Sequence, residues 1–280
     1  YNGITWIEEQ VDSILNQKNV NIDLYISVDL SSDGTHEWCQ ELALKNTSVN
    51  MLPYGNCFGG AAKNFFRLIK DVDFNGYDYI SLADQDDIWL PEKISRAIKL
   101  IKDRKLEGYS SNVIAFWEDG REQVIDKSYP QKKYDYYFES AGPGCTFMFK
   151  KKSLEKFKFF LTENWDLVNE VKLHDWMIYA YFRSFSMLWY IDKTPSMYYR
   201  QHKNNQIGAN YYWKSYLSRL KKINSGWYHN EVQKIITLLK PYSRDDMKFS
   251  KLFLIINFYK LRRRLRDAII LLFSNIIRLF

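Results

Sequence analysis

Apolar positions at Ile7, Val11, Ile14 and Leu15 recur with the spacing of one helical face, and Thr5-Trp6-Ile7-Glu8 at their start has capping-box spacing. The period then changes. Residues 23–29 (DLYISVD) are a short β-rich run closed by the turn-like Ser31-Ser32-Asp33-Gly34. A second helix is predicted over 38–44, a strand over 49–54, then a Gly-containing loop and a helix over 61–70. Residues 77–83 (YDYISLA) read as a strand that runs straight into DQDDIWLP and a Lys-rich helix from 92 to about 104. Strands alternating with helices predict a mostly parallel sheet covered on both faces. Beyond residue 110 the order loosens. Strands are predicted at 113–117 and 145–149 with an acidic, aromatic, loop-rich stretch between them, then a helix over 175–184 and a strand over 187–191. From Tyr211 the pattern is helical, and no internal repeat or low-complexity tract appears.

Composition adds bounds to this pattern. The chain has 280 residues, 46% of them apolar, enough for one large α/β domain plus an appendage or for two small domains. Aromatics reach 17%, which suits a sugar-binding surface and an aromatic core equally. The net charge of +7 is uneven: residues 211–280 carry 15 Lys+Arg against 4 Asp+Glu, whereas residues 1–210 carry 25 against 29. A mildly acidic body therefore precedes a basic tail. Cys39, Cys57 and Cys145 are odd in number and far apart, the usage of a reduced, cytoplasmic protein. The apolar run at 268–273 is far below the ~18–20 residues of a membrane span. No signal peptide is visible, and an opening at Tyr1 rather than Met leaves room for a preceding piece.

Four clusters carry candidate chemistry. In extended backbone Asp84 and Asp86 point to one side, at the end of a predicted buried strand where open α/β sheets bind ligands. Crowded carboxylates suit a hard divalent ion, Mg²⁺ or Mn²⁺, bridging to substrate phosphates. The alternative is an acidic turn with Asp87 capping the next helix. Asp29 ends a strand, where it can accept from a base N–H or form an Asx turn. His174-Asp175-Trp176 offers either a general base at Asp175 or a helix cap. Tyr199-Arg200-Gln201-His202, with Asn204, Asn205 and Gly208, offers diphosphate or metal contacts from Arg200 and His202, or is simply a polar loop. Dinucleotide, P-loop, zincin and serine-elbow motifs are absent from the sequence.

In order along the chain, YNG at 1–3 with Ser13-Ile14-Leu15-Asn16-Gln17, VDLSSDGT at 28–35, ADQDDIWLPEKI at 83–94, GPGCTFMFK at 142–150, HDWMIY at 174–179 and YRQHKNNQIGA at 199–209 together resemble family 2 of the glycosyltransferases. DQDDIW, HDW and YRQHxxN are most similar to its bacterial rhamnosyltransferase branch, which builds surface or cell-wall polysaccharide. The resemblance implies a GT-A fold, Rossmann-like, over residues 1–210, with a basic helical extension over 211–280. It implies inverting transfer from dTDP-L-rhamnose, or alternatively a UDP-hexose, to a lipid-linked or glycan acceptor. Asp175 would be the base. Asp29, Lys63, Asp84 and Arg200 would hold the nucleotide-sugar, Asp86 and His202 would ligate Mg²⁺ or Mn²⁺, and Asp87, His174 and Trp176 would support them. Two departures stand out: Val28-Asp29-Leu30 replaces the family's Asp-Asp-Gly, and the family's hydrophobic first strand is expected before residue 1.

From Leu254, apolar residues recur at Phe258, Leu261, Leu265, Ile269, Leu272 and Ile276, with Lys260, Arg263, Arg264, Asp267 and Arg278 largely elsewhere. This predicts one basic amphipathic helix, lying on the anionic inner face of the plasma membrane, packed on the body, or in a homodimer. The rival classes are a nucleic-acid-binding protein, disfavoured by the acidic body and the lack of a reading motif, and a non-catalytic sugar-binding protein, disfavoured by the carboxylates at 84, 86 and 175.

Overall fold

The structure is a computed structural model that describes residues 1–202, 226–242 and 249–278. The polar positions Asn204, Asn205 and Gly208, and the helical reading of 211–225, lie outside the described residues.

The first third alternates as the pattern predicts. Helix α1 (Ile7–Leu15) leads to β1 (Leu24–Ile26), α2 (Thr35–Lys45), β2 (Val49–Met51), α3 (Ala61–Asp71) and β3 (Tyr79–Ser81). The α1 start departs from expectation. Its cap is Trp6, with no side-chain cap bond, so Thr5 and Glu8 do not close a capping box; the carbonyl of Gly3 accepts from the N–H groups of Trp6 and Ile7 instead. β4 (Ile88–Trp89) and α4 (Lys93–Asp103) follow the acidic cluster. Then come β5 (Gly108–Ser111), β6 (Val113–Trp117), β7 (Glu122–Ile125), β8 (Met148–Lys150), α5 (Lys151–Glu163), α6 (Trp165–Val168), α7 (His174–Ser184), β9 (Trp189–Asp192) and β10 (Met197–Gln201). The C-terminal part holds α8 (Trp227–Leu239), α9 (Lys251–Ile256) and α10 (Leu265–Arg278).

The strands are mixed rather than mostly parallel. Parallel pairs occur where helices intervene: β1 with β2 through α2, β5 with β9 through α5 to α7, and β6 with β10. The other four pairs, β6 with β7, β3 and β5 with β8, and β4 with β10, are antiparallel. β7 folds back on β6 across a turn at Asp119-Gly120, with φ +81° at Gly120. β8 enters from the long 126–147 loop and pairs with both β3 and β5. β4 pairs with β10, placing Trp89 opposite Met197 and Ile88 opposite Tyr198. That pairing carries the end of β10 back over the acidic cluster.

β1 and β3 belong to different sheets and are not paired to one another. Both instead line a cavity of about 1920 Å³, together with α1 and α3. The principal core also packs on α3, whose Phe65 and Ile69 border both core and cavity. Phe65, Phe66 and Ile69 of α3 meet Phe147, Phe149, Phe157, Trp176 and Phe182 there. Each such aromatic contributes about 1.5–3 kcal/mol on burial. The same core takes in Val232, Ile235, Leu239, Leu254, Leu261 and Leu271 from the C-terminal helices, so the charge boundary near residue 210 is not a packing boundary.

The tail is not one amphipathic helix. Residues 251–278 fold as two helices joined by a 3₁₀ turn at Phe258–Lys260. Leu254 and Leu261 are fully buried while Leu265 and Ile269 are exposed, so the apolar positions do not form one face. The arginines turn inward. Arg262 donates to the Phe138 carbonyl, and Arg263 donates to the Ser140 carbonyl and to the buried Asp135, which also pairs with Arg183. Arg264 reaches the Asp126 carbonyl. No helix among the described residues is long and apolar enough to cross a membrane.

Candidate active site

The 31–35 turn forms one rim of the cavity. Asp33 Oδ1 accepts from the Thr35 N–H, and Gly34 takes φ +90°, a left-handed conformation that an L side chain rarely adopts. The N-terminal segment is stitched to this turn: the Asn2 N–H donates to Ser31 Oγ, the Gly3 N–H to Thr35 Oγ1 and the Ile4 N–H to Asp33 Oδ2.

Asp29 lies in the cavity wall, 6% exposed. Its carboxylate accepts from three backbone donors: the N–H groups of Leu30 and Phe58 on Oδ1 and that of Gly59 on Oδ2. Two of these three bonds hold the 56–60 loop, a role that a reading of it as a base contact alone overlooked.

The acidic cluster divides into two layers. Asp84 and Asp86 line the cavity, as does His202. His202 Nε2 lies 2.8 Å from Asp86 Oδ2, bringing together the two residues expected to ligate a metal from positions 116 apart in sequence. Asp87 lies behind this wall, 1% exposed, and accepts from the Arg200 N–H. It is not a helix cap: α4 is capped at Glu92, five residues on. Cys145 and Lys93 share this inner layer. Lys93 Nζ donates to the Cys145 carbonyl at 2.7 Å and sits 4.4 Å from the Trp89 ring centre. Burial lowers the Lys93 ammonium to about 8, against the opposing pull of Asp87 and Asp84. Burial raises both carboxyls, Asp84 to about 7, and each is raised further by its acidic neighbours.

Asp84, Asp87 and Cys145 place ligand atoms within 4.8 Å of one another, a group with the composition of a metal site. Its thiol, however, is held protonated by burial and by the two carboxylates, and an ammonium stands beside it. A hard ion fits better on the cavity side, where Asp84, Asp86 and His202 all line the wall. Burial and the neighbouring Asp84 and Asp86 push the Asp87 carboxyl well above its usual range, which disfavours its ionised form in the layer behind that side.

Arg200 and Lys63 do not line the cavity. Arg200 is a brace. Its guanidinium donates to the Asp86 carbonyl and to Glu9 and lies 4.6 Å from the Phe116 ring centre. A side chain so engaged on the outer side of the acidic loop is poorly placed to reach a diphosphate.

Asp175 occupies the far side of the same cavity, in the first turn of α7. The helix is capped by Leu173, so Asp175 is not its cap, and its Oδ1 accepts from the adjacent Trp176 N–H. Burial raises its carboxyl to about 6, opposed by that N–H, by the Ser140 hydroxyl and by Lys127. The neighbours lock it. His174 stacks on Phe65 with ring centres 4.0 Å apart, and burial lowers its imidazole to about 3, so it is neutral. A Cβ at Gly144 would lie 2.3 Å from His174 Nε2, so only glycine lets the 143–147 turn close on this ring. Trp176 Nε1 donates to the Tyr136 carbonyl. Extension residues Tyr228, Arg264, Arg266 and Leu271 complete this side of the cavity. Lys93, Ser140 and Lys127 were not singled out in the sequence, and Cys145 was read there only as one of three separate thiols, because the contacts that bring them to the carboxylates are long-range.

The profile of a family described as glycosyl transferase family 2 matches residues 1–158. A dTDP-rhamnosyl transferase, RfbG of Shigella flexneri, is 46% identical over 286 aligned residues, covering 100% of this chain and 99% of that protein. Among solved structures, S. aureus TarS 1–349 aligns with a TM-score of 0.56 at 14% identity over 98% of this chain and 88% of that one. Its complex with UDP gives 0.57 at 14%, over 89% of this chain and 64% of the TarS chain. At such identity the likeness to TarS shows the fold, a GT-A-like one.

Proposed function

The chain belongs to glycosyl transferase family 2, and we propose that within it the protein transfers L-rhamnose from dTDP-L-rhamnose to a hydroxyl of a lipid-linked or glycan acceptor. The observation that carries the reading is that Asp84, Asp86, His202 and Asp175, from three distant segments, line one cavity. The named activity of the Shigella relative supports the donor.

In this reading Asp86 and His202, with Asp84 beside them, would hold Mg²⁺ or Mn²⁺, and such an ion would supply charge neutralisation for the leaving diphosphate. Asp29 keeps the 56–60 loop closed beside the nucleotide. Asp175 accepts the proton of the acceptor hydroxyl as that oxygen forms its bond to the anomeric carbon. The bond from that carbon to the diphosphate breaks in the same step, its electron pair leaving with the phosphate oxygen and the sugar inverting. His174, Gly144 and Phe65 hold the carboxylate in place.

Incubation with Mn²⁺ and, separately, dTDP-L-rhamnose, UDP-glucose or UDP-GlcNAc tests the donor. Release of nucleoside diphosphate from dTDP-L-rhamnose alone is expected, and release from a UDP-sugar instead overturns it.

The protein works at the inner face of the plasma membrane. Leu252, Ile256, Tyr259, Leu265, Ile269 and Phe273 are exposed on the C-terminal helices, with Lys251 and Arg266 beside them. Arginines 262 to 264 are spent on the body, so apolar contact outweighs charge in this attachment. Co-sedimentation with vesicles of phosphatidylglycerol is expected and should weaken on Ile256→Ser and Phe273→Ser; a concentration-dependent dimer that these changes abolish, with no vesicle binding, would assign the patch to a homodimer.

A further inference from the structure

The first turn of α1 reaches across to the end of β10. The Trp6 indole stacks on the His202 imidazole, with ring centroids 4.1 Å apart and 17° between planes. Three residues on, Glu9 accepts from Arg200, whose Nε in turn donates to the Asp86 carbonyl at 2.9 Å. The platform is fixed from below. Ile7 is buried with Val28 and Cys39, and the Trp6 N–H donates to the Gly3 carbonyl at 2.9 Å. The imidazole is thus held by its face as well as by its edge, where Nε2 meets Asp86 Oδ2, and the His202 side chain is only 10% exposed.

We propose that Trp6 is a positioning residue for metal capture: by covering one face of the His202 imidazole it holds Nε2 on the cavity side of Asp86, ready to share a divalent ion with it. Indole offers a donor and no ligand atom, so any effect of Trp6 on the ion passes through His202. Imidazole ligands need an outer partner to fix their ring orientation, and here an aromatic face takes that part. Stacking blocks rotation of the ring about its own bond, the motion that would carry Nε2 away from the carboxylate. The Glu9–Arg200–Asp86 chain ties the same helix to the other ligand, so α1 sets the spacing of both.

The proposal rests on the reading of Asp86 and His202 as ligands, and the test separates the two. Binding of Mn²⁺ alone, without nucleotide, is followed by the loss of the free-ion paramagnetic resonance signal. Asp86→Ala should abolish saturable binding. Trp6→Ala should weaken it about tenfold and Trp6→Phe, which can still stack, less than about threefold, the lower part of the range for outer-shell changes. Trp6→Ala added to His202→Ala should cost nothing further, because both act on one contact. Wild-type affinity in Trp6→Ala with binding lost in Asp86→Ala overturns the positioning role and leaves the metal site standing. Unchanged binding in Asp86→Ala overturns the site itself and the proposal with it. Should the alanine variant fail to fold, a Trp6→Phe protein as weak as His202→Ala overturns the role of stacking.

Discussion

Burial sets the working range of Asp175. Its carboxyl, raised to about 6, must be ionised to accept a proton, so kcat/KM should fall about tenfold per unit below pH 6 and level off above it. Lys127 holds that value down, so Lys127→Met should move the acid limb to higher pH; a limb left in place in the pH profile would dismiss Lys127 as an electrostatic partner. Asp175→Asn should lower turnover by about 10²–10⁴-fold while donor binding, followed by calorimetry, persists. Gly144 acts one step further out. Gly144→Ala would drive a methyl into His174 Nε2, 2.3 Å away, and should cost about 1–3 kcal/mol in urea unfolding and lower kcat more than it raises KM.

Elements decide what those residues can touch. The 56–60 loop hangs on two backbone donors to Asp29, the N–H groups of Phe58 and Gly59, so Asp29→Ala should loosen the loop and weaken dTDP binding; amide exchange at Phe58 and Gly59 should rise, and unchanged protection would contradict this role. The alternating helices and strands of residues 1–103 were legible because each carries its own period and turn signals: α3 keeps Phe65, Phe66 and Ile69 on one face, and Gly34 marks the 31–35 turn. β4 was not legible. Two residues hold no period, and they are a strand only because β10 pairs with them. That pairing also puts Asp86 beside His202, so the proposed ligand pair was readable as two residue types while its geometry was not. The turn at Asp119-Gly120 did carry a hairpin signal, and β7 could have been read from it. Asp29 and Arg200 were legible as polar residues near a site, but their work as a loop anchor and a brace depends on backbone groups that no side-chain pattern records.

Across the whole molecule, body and extension share one core and one charge network. Asp135 is fully buried between Arg183 and Arg263, so Asp135→Leu removes a carboxylate shared by two guanidinium groups and should destabilise the protein by about 3–5 kcal/mol in urea unfolding; a cost under about 1 kcal/mol would mean that Glu139 and the carbonyls of Ser140 and Lys132 suffice for the arginines. Arginines 262 to 264 looked from the sequence like a charged outer face, and their inward turn is long-range information: they meet carbonyls and carboxylates some 120 or more positions away. The shared wall has a consequence for exchange between relatives. Tyr228, Arg264 and Leu271 form the cavity side that faces Asp175, and Arg262 and Arg263 are seated on the 135–140 segment of the body. A chimera joined at residue 210 would bring in foreign partners for both at once. The tail can therefore be exchanged between such proteins without disturbing the cavity wall only when the 135–140 segment that receives its arginines travels with it.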